Sequence, residues 1–167
     1  NAVDLDGNPR LADRAVDMGA YEFRRIVPVY RFWSGVLSHH FYTTSEAERD
    51  MLAEKYRDVW TFEGIAYYAY TSPSEPNLLP VYRFWSDRLS GHFWTIDEQE
   101  RAMLIKDYPH VWTYEGAVFY AYPAGGQASG TTPVHRFWSG SLGAHFYTMS
   151  EAEKGQLIEK YADVWTY

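Results

Sequence analysis

Cysteine is absent from the 167 residues of the chain, and no apolar run approaches the length of a membrane-spanning helix. Without cysteine there is no disulfide framework and no thiolate chemistry. Because a helix needs about 20 mainly apolar residues to cross a bilayer, we expect no membrane insertion. The chain is long enough for one compact domain.

Positive charge and catalytic motifs are also scarce. The 15 lysines and arginines are outnumbered by 22 aspartates and glutamates, which gives a net charge of −7 and no basic cluster. Such an acidic chain is a poor partner for a phosphate backbone, so we expect no nucleic acid. Neither the H-E-x-x-H zinc motif nor the G-x-S-x-G nucleophile elbow occurs. We therefore expect a protein that is not an enzyme and that uses no cofactor or metal.

The chain is organised around a stretch that occurs almost three times. Residues 28–70 read PVYRFWSGVLSHHFYTTSEAERDMLAEKYRDVWTFEGIAYYAY, and close copies begin at Pro80 and Pro133. Aromatic residues make up 19% of the chain and lie almost entirely in these copies. So many rings bury a large apolar area when the copies pack together, which makes modest units stable. The copies occupy 28–79, 80–132 and a shorter 133–167.

Within each copy, aromatic and β-branched residues predict short strands, and a capping box predicts a helix. In the first copy we expect strands at 29–33, 40–43, 59–62 and 65–70, with a helix after Ser45. Gly64 separates the last two strands, which could equally be one strand with a bulge. The helix is expected to pack through one face that contains Ala47, Met51, Leu52 and Tyr56. Each copy is thus predicted to be a ββαββ unit.

Three such units predict a mainly β domain with short helices, arranged about a pseudo-threefold axis. Four strands in each of three units match the strand count of a β-trefoil, so a trefoil-like fold is our first expectation. A three-bladed propeller-like ring or a β-prism-like arrangement is the alternative, because the strand count does not distinguish them.

The first copy contains the segments PVYRFW, HFYTTSEAE and WTFEGIAY in that order. On these segments, residues 28–167 resemble a family of secreted-protein repeats of unknown function, usually three in tandem. The resemblance implies a non-catalytic accessory module of a bacterial or fungal extracellular protein, suspected of binding carbohydrate or a cell-surface polymer. The third copy departs from the pattern at His135 and lacks the Glu-Gly segment, so the resemblance does not imply a third site.

Residues 1–27 differ from the copies and contain the segments DLDGNPR and VDMGAYE. These segments resemble the last coil of secreted right-handed parallel β-helix proteins, which implies a β-helix upstream or a linker. Asp4, Asp6 and Asn8 offer oxygen ligands at alternate positions, as in a calcium loop, but turns capped by their own side chains explain them better. We therefore assign no metal here.

The two ends of the chain are expected to meet. Residues 18–23 align by their glycine with residues 115–120 of the second copy. We expect 18–23 to act as a closing strand beside Trp165, where the third copy lacks its final strand; the alternative is that the polypeptide continues past Tyr167 with a final strand of its own. Such pairing would cover a bare sheet edge, which is otherwise an aggregation hazard.

Polar residues recur among the rings at matching positions of the copies. We expect one pocket per unit for a sugar or an anion, in which arginine and histidine donate hydrogen bonds, glutamate accepts them and an aromatic ring stacks on the ligand. The candidate ligand-binding residues are Arg31, His40, Tyr42 and Glu63 in the first copy, Arg83, His92, Trp94 and Glu115 in the second, and Arg136, His145 and Tyr147 in the third.

The same residues also fit a structural role, because a buried Arg–Glu or His–Glu contact can fix the arrangement of each unit. The three histidines could also meet on the threefold axis, as in a three-histidine zinc site, but we favour this alternative less.

The expected function is therefore a carbohydrate- or cell-surface-binding module of a secreted protein, with a glycan or cell-surface polymer as partner. The alternative is a structural module that self-associates in an extracellular filament or surface layer, since exposed aromatic residues serve either purpose. Three weak binding sites would gain avidity on a polymer.

Overall fold

The computed structural model describes residues 11–12, 15–16 and 26–167. Nearly all of the segment that resembles a β-helix end lies outside the described residues, as do the calcium alternative and the closing strand at 18–23. Ahead of the copies, β1 (Leu11–Ala12) pairs antiparallel with β2 (Ala15–Val16).

Each copy folds into a unit that begins with a β-hairpin followed by a helix. Unit 1 has β3 (Ile26–Ser34), β4 (His39–Thr43), α1 (Glu46–Lys55) and β5 (Thr61–Tyr70); unit 2 has β6 (Leu79–Ser86), β7 (Gly91–Thr95), α2 (Glu98–Asp107) and β8 (Thr113–Ala121); unit 3 has β9 (His135–Ser139), β10 (Ala144–Thr148) and α3 (Glu151–Lys160). The predicted ββαββ order is wrong. The order in units 1 and 2 is ββαβ, because the last two predicted strands form one strand that continues through the glycine.

The strands of residues 26–167 form open antiparallel sheets, so the domain is mainly β with three short helices. Six strands from units 1 and 2 follow the order β4-β3-β5-β8-β6-β7, and a single residue pair, Tyr70 with Tyr120, joins the two halves. Strands β9 and β10 form a separate hairpin. With three strands per complete unit and no closed barrel among these residues, the strand count behind the trefoil expectation does not hold.

Unit 3 has an isolated antiparallel bridge, between Trp138 and Thr166, at the position where the third strand begins in units 1 and 2. The N–H groups of Trp138 and Thr166 each donate to the carbonyl of the other, at 2.9 and 2.8 Å. Trp33 pairs with Thr61 and Trp85 with Thr113 at the same place in the other units.

A bulge at one glycine shapes the third strand of units 1 and 2. Gly64 has a φ of +102° and Gly116 one of +109°, a backbone conformation that other residues rarely adopt. These glycines pair with Arg31 and Arg83, where the strand register shifts. Because a bulge re-aims neighbouring side chains, each arginine is met by the glutamate that precedes the glycine.

The three helices begin at the predicted caps. The side chains of Ser45, Asp97 and Ser150 accept hydrogen bonds from backbone N–H groups of the first helical turn. A threonine two residues earlier accepts from the N–H of each cap residue, at 2.9 to 3.0 Å. The glutamate of the predicted capping box therefore does not bond the N–H of the cap residue, and its carboxylate is available for contacts with a neighbouring unit.

The helix face predicted for α1 is wrong in all but one residue. Leu52 is the buried residue of the helix, whereas Ala47 and Met51 are exposed and Tyr56 at the helix C-cap is half exposed. Leu104 plays the same part in α2. Most side chains of these two helices face solvent, and each helix contributes one leucine to the buried clusters.

The core is built mainly from strand residues, and all three units contribute to it. One buried cluster combines Val29, Phe32 and Tyr42 of unit 1 with Val81, Trp94 and Phe119 of unit 2 and Tyr147 of unit 3. A smaller cluster contains Phe84, Phe93 and Leu104 of unit 2. In the described part of the chain, no helix combines the length and apolar character needed to cross a membrane.

Candidate functional site

The second strands of the three hairpins meet at the centre of the domain. They bring together the rings of Tyr42, Trp94 and Tyr147, which contact one another edge to face with centroids 5.4, 5.5 and 5.7 Å apart. The three residues are only 1%, 4% and 6% exposed. The structure thus places the three rings predicted to stack on a ligand in the core, where they contact one another.

Hydrogen bonds reinforce this central trio. The Tyr42 hydroxyl donates to the Tyr147 carbonyl at 2.9 Å and accepts from the Tyr147 N–H. The Tyr147 hydroxyl makes the same pair of bonds with the backbone of Trp94, at 2.8 and 3.1 Å. The third member cannot repeat the pattern, since the buried Trp94 Nε1 has no hydrogen-bond partner among the described residues.

Arg31 joins unit 1 to unit 3, and it binds one carboxylate from each of the two units. Its Nε lies 2.8 Å from Glu63 Oε2, while Nη1 and Nη2 donate to the two oxygens of Glu153 at 3.1 Å each. The guanidinium lies over the ring of Phe146, 5.5 Å from its centroid. Glu153 also accepts a hydrogen bond from Thr148 in its own unit. Bidentate, charge-assisted contacts of this kind fix both distance and orientation.

The same junction recurs between unit 2 and unit 1. Arg83 Nε lies 2.7 Å from Glu115 Oε2, and its Nη atoms donate to both oxygens of Glu48 at 3.0 and 3.1 Å. The guanidinium lies 5.7 Å from the ring centroid of Phe41. Two carboxylates thus hold this arginine, one from its own unit and one from α1.

A third junction links unit 3 to unit 2. Arg136 Nη1 donates to Glu100 at 2.8 Å, and the guanidinium lies 5.5 Å from the ring centroid of Phe93. The contacts therefore run in a cycle, because the arginines of units 1, 2 and 3 reach the helices of units 3, 1 and 2 respectively.

Burial and ion pairing act in opposite directions on the charged groups of the first two junctions. Burial alone would lower the pKa of Arg31 and Arg83, but hydrogen bonds and charges from their glutamates outweigh burial and raise both. Burial alone would likewise raise the pKa of Glu48 and Glu153, but hydrogen bonds from the arginines and from threonine lower both. All four groups are therefore charged at neutral pH.

The repeat histidines pack against a phenylalanine of the neighbouring unit. His40 lies on Phe146, His92 on Phe41 and His145 on Phe93, with ring centroids 4.8, 4.8 and 4.5 Å apart. Burial first, and then the charge of the nearby arginine, lowers the pKa of His40 and His92 to about 4 and that of His145 to about 3. The imidazoles are therefore neutral, although Nε2 of both His40 and His92 lies 3.4 Å from a glutamate oxygen.

The predicted polar residues do come together, but they meet protein groups. Arginine, histidine and glutamate of one unit converge in units 1 and 2, as expected, and they face a helix glutamate and a phenylalanine of the next unit. Sequence reasoning missed Glu48, Glu100 and Glu153 as arginine partners, because a glutamate three residues after a cap is also the ordinary mark of a capping box. Among the residues that the structure describes, no group of histidines and carboxylates could hold a metal ion.

A shallow depression lies among the histidines where the hairpins meet. Its lining includes His40, His92 and His145, together with His39, and its cavity volume is about 10 Å³. Small-molecule sites are far larger, at roughly 300–1,000 Å³. His39 is buried and places Nδ1 3.0 Å from the Ser38 carbonyl oxygen and Nε2 2.5 Å from the Leu89 carbonyl oxygen.

A different surface exposes aromatic residues to solvent. Beyond the bulge of β5, Tyr67 and Ala69 are buried, so Tyr68 and Tyr70 project from the opposite side of the sheet. Tyr68 is 62% exposed. In unit 2, Tyr120 and Tyr122 occupy the equivalent positions, and both are half-buried.

We call Tyr68, Tyr70, Tyr120 and Tyr122 the tyrosine face. The backbones of Tyr70 and Tyr120 pair directly, and the rings of Tyr70 and Tyr122 lie edge to face with centroids 5.7 Å apart. Burial, a hydrogen bond with Tyr70 and the nearby charge of Glu75 raise the pKa of Tyr122, so its hydroxyl stays protonated. The sequence signal was present as YYAY and FYAY, but it did not reveal which tyrosines face outward.

Comparison with known proteins adds a family and no function. Neither the curated proteins nor the solved structures gave a match to the chain. A family model described as Domain of unknown function (DUF5648) matches residues 28–167, which are the three units. With most of its length matched, the chain belongs to this family, Domain of unknown function (DUF5648).

Proposed function

We propose that this domain is a non-catalytic module that binds carbohydrate or another cell-surface polymer. The observation that carries the proposal is the tyrosine face, four tyrosines on the side of the sheet opposite the core, of which Tyr68 is exposed and the other three are half-buried. Exposed aromatic clusters on a folded surface mark interaction sites more often than chance, because they are costly to leave in water. The sheet holds these rings in fixed positions, so little conformational entropy is lost on binding.

Tyrosine suits a sugar ligand on chemical grounds. A pyranose ring presents apolar C–H groups on its faces and hydroxyls around its rim. A tyrosine ring offers an apolar surface for the former, and its hydroxyl both donates and accepts hydrogen bonds with the latter. The face therefore combines the two contacts that a polyhydroxylated ring needs.

The repeated polar clusters support a non-catalytic role. Arg31 and Arg83 each bind two carboxylates, and the adjacent histidines are neutral and packed against phenylalanine rings. A general acid or base must reach a substrate atom within hydrogen-bonding distance. These groups instead hold the units together.

We further propose that the three units are related by a pseudo-threefold axis that passes through the central ring trio. Support comes from the cyclic order of the arginine junctions and from the mutual contacts of Tyr42, Trp94 and Tyr147. A secreted or cell-surface location fits a binding module of this kind and belongs to the same proposal.

The test is retention on polysaccharides. The chain would be mixed with a panel of insoluble glucans, chitin and bacterial cell-wall preparations, and the depletion of free protein measured. Saturable depletion by at least one of them is expected. If none retains the protein at high micromolar concentration, the binding function is wrong; a dimer that buries the tyrosine face would then favour an assembly module.

A further inference from the structure

The tyrosine face extends across the junction between units 1 and 2. In one row, Ile26 pairs with Tyr70, Tyr70 with Tyr120, and Tyr120 with Pro80. Residues paired directly across a sheet lie on the same side of it, so these four side chains share the solvent side. Neighbouring strands lie about 4.8 Å apart, so a row over four strands is about 14 Å long. A surface of that length is larger than a single sugar ring.

A second row lies beside the first. Tyr68 pairs with Pro28, and Tyr122 follows the end of β8 with its ring against Tyr70. Both rows therefore consist of tyrosine, proline and isoleucine side chains, with no charged side chain among them. Ile26 and Tyr68 are exposed and the others are half-buried, so two units contribute to one partly exposed apolar surface.

The charge of the chain restricts what this surface can bind. Acidic residues outnumber basic ones by 22 to 15, and the Glu75 carboxylate acts on Tyr122 at the edge of the face. An anionic polymer such as a polyuronate would be repelled as it approached. The hydroxyls of the face suit a ligand with many neutral donors and acceptors instead.

We infer that the tyrosine face is the binding platform for an extended, uncharged polysaccharide that lies across units 1 and 2. The inference rests on the proposed function and adds its site and ligand class. Several sugar rings contact the platform at once, so a long chain binds and a monosaccharide does not. The site contains none of the arginines, histidines or glutamates of the unit junctions.

The experiment compares variants on soluble polysaccharides by affinity electrophoresis and isothermal titration calorimetry. The variant Tyr68→Ala/Tyr120→Ala removes one ring from each unit. Tyr108→Ala is the matched control, because Tyr108 is 45% exposed and lies at the end of α2, away from the sheet. Thermal unfolding of each variant verifies that the fold is retained.

We expect the double variant to raise the dissociation constant for a neutral glucan at least about tenfold, or about 1.4 kcal/mol. The control should change it less than twofold. Because the interaction is uncharged, raising the salt concentration should leave the affinity unchanged.

Three outcomes would overturn the inference. If neutral polysaccharide binds the double variant as tightly as the native chain, the platform is elsewhere although the binding function stands. If only an anionic or a cationic polymer binds, and salt weakens it, the ligand class is wrong. If the native chain binds no polysaccharide and forms a dimer that Tyr68→Ala disrupts, a second copy covers the face and the proposed function fails as well.

Discussion

Acid is expected to unfold this domain well above the pH at which its carboxylates take up protons. The repeat histidines have a folded pKa of about 4 for His40 and His92 and about 3 for His145, against about 6.5 in an unfolded chain. A histidine whose folded pKa is lowered binds a proton more readily once the chain unfolds. The free energy of unfolding is therefore at its full value above about pH 6.5 and decreases as the pH falls toward 4, because the unfolded chain takes up the protons first.

The size of the effect follows from the pKa differences. At pH 5 each histidine is almost fully protonated in the unfolded chain and neutral in the folded one, which costs about 2 kcal/mol. Three such residues cost about 6 kcal/mol, comparable with the roughly 5–15 kcal/mol that stabilises a typical domain. Glu48 and Glu153, whose pKa values are lowered, add their losses only below about pH 4.5.

Urea unfolding followed by tryptophan fluorescence at pH 7.5, 6 and 5 measures this slope. The native chain should lose about 6 kcal/mol over that range, and His92→Gln should lose about 4 kcal/mol, since glutamine keeps a neutral amide and cannot titrate. His110→Gln, which alters an exposed histidine outside the unit junctions, is the control against which the slope of His92→Gln is compared. A free energy of unfolding that stays constant between pH 7.5 and 5 would refute the assignment of neutral buried imidazoles.

Three substitutions test other contacts by urea or thermal unfolding. Glu48→Gln should destabilise the domain by about 2 kcal/mol, because it leaves the part-buried Arg83 with one carboxylate fewer. The exposed control Glu54→Gln should change stability by less than about 0.5 kcal/mol. Equal effects would contradict the junction. Gly91→Ala should lower the free energy of unfolding by about 1–3 kcal/mol, because the added Cβ would lie 2.6 Å from His39 Cδ2. Adding His39→Ala to the same chain should remove most of that loss, and an unchanged loss would locate the strain elsewhere. Trp94→Tyr should change stability by less than about 1 kcal/mol, because it replaces the indole Nε1, which has no hydrogen-bond partner among the described residues, with a hydroxyl. A loss above about 3 kcal/mol would show that the ring volume lost with the indole dominates.

Local signals in the sequence were sufficient to predict the hairpins and helices. A cap residue and its helix lie within a few positions, so Ser45, Asp97 and Ser150 could be identified without tertiary information. The single strand through Gly64 was harder to predict, because a glycine between two apolar runs fits either a break or a bulge.

The partners of the polar residues could not be predicted in the same way. Arg31 and Glu153 are 122 residues apart, and only the packing of unit 1 on unit 3 brings them together. The sequence also does not tell the two sides of a strand apart when both carry rings. Tyr42 lies on a strand buried on both sides, and Tyr67 and Tyr68 are adjacent with opposite exposure.

The cyclic junctions explain why the units need one another. In the two consecutive junctions, arginine and glutamate are 35 and 36 residues apart, whereas the contact that closes the cycle spans 122 residues. Loop entropy grows only with the logarithm of length, so the longer span costs about 1 kcal/mol more. Losing the carboxylate partner of a part-buried arginine costs about 2 kcal/mol, so closure is favourable once the rings of the neighbouring units are already packed. A unit alone would leave its arginine and its phenylalanine without the partners that neighbours supply.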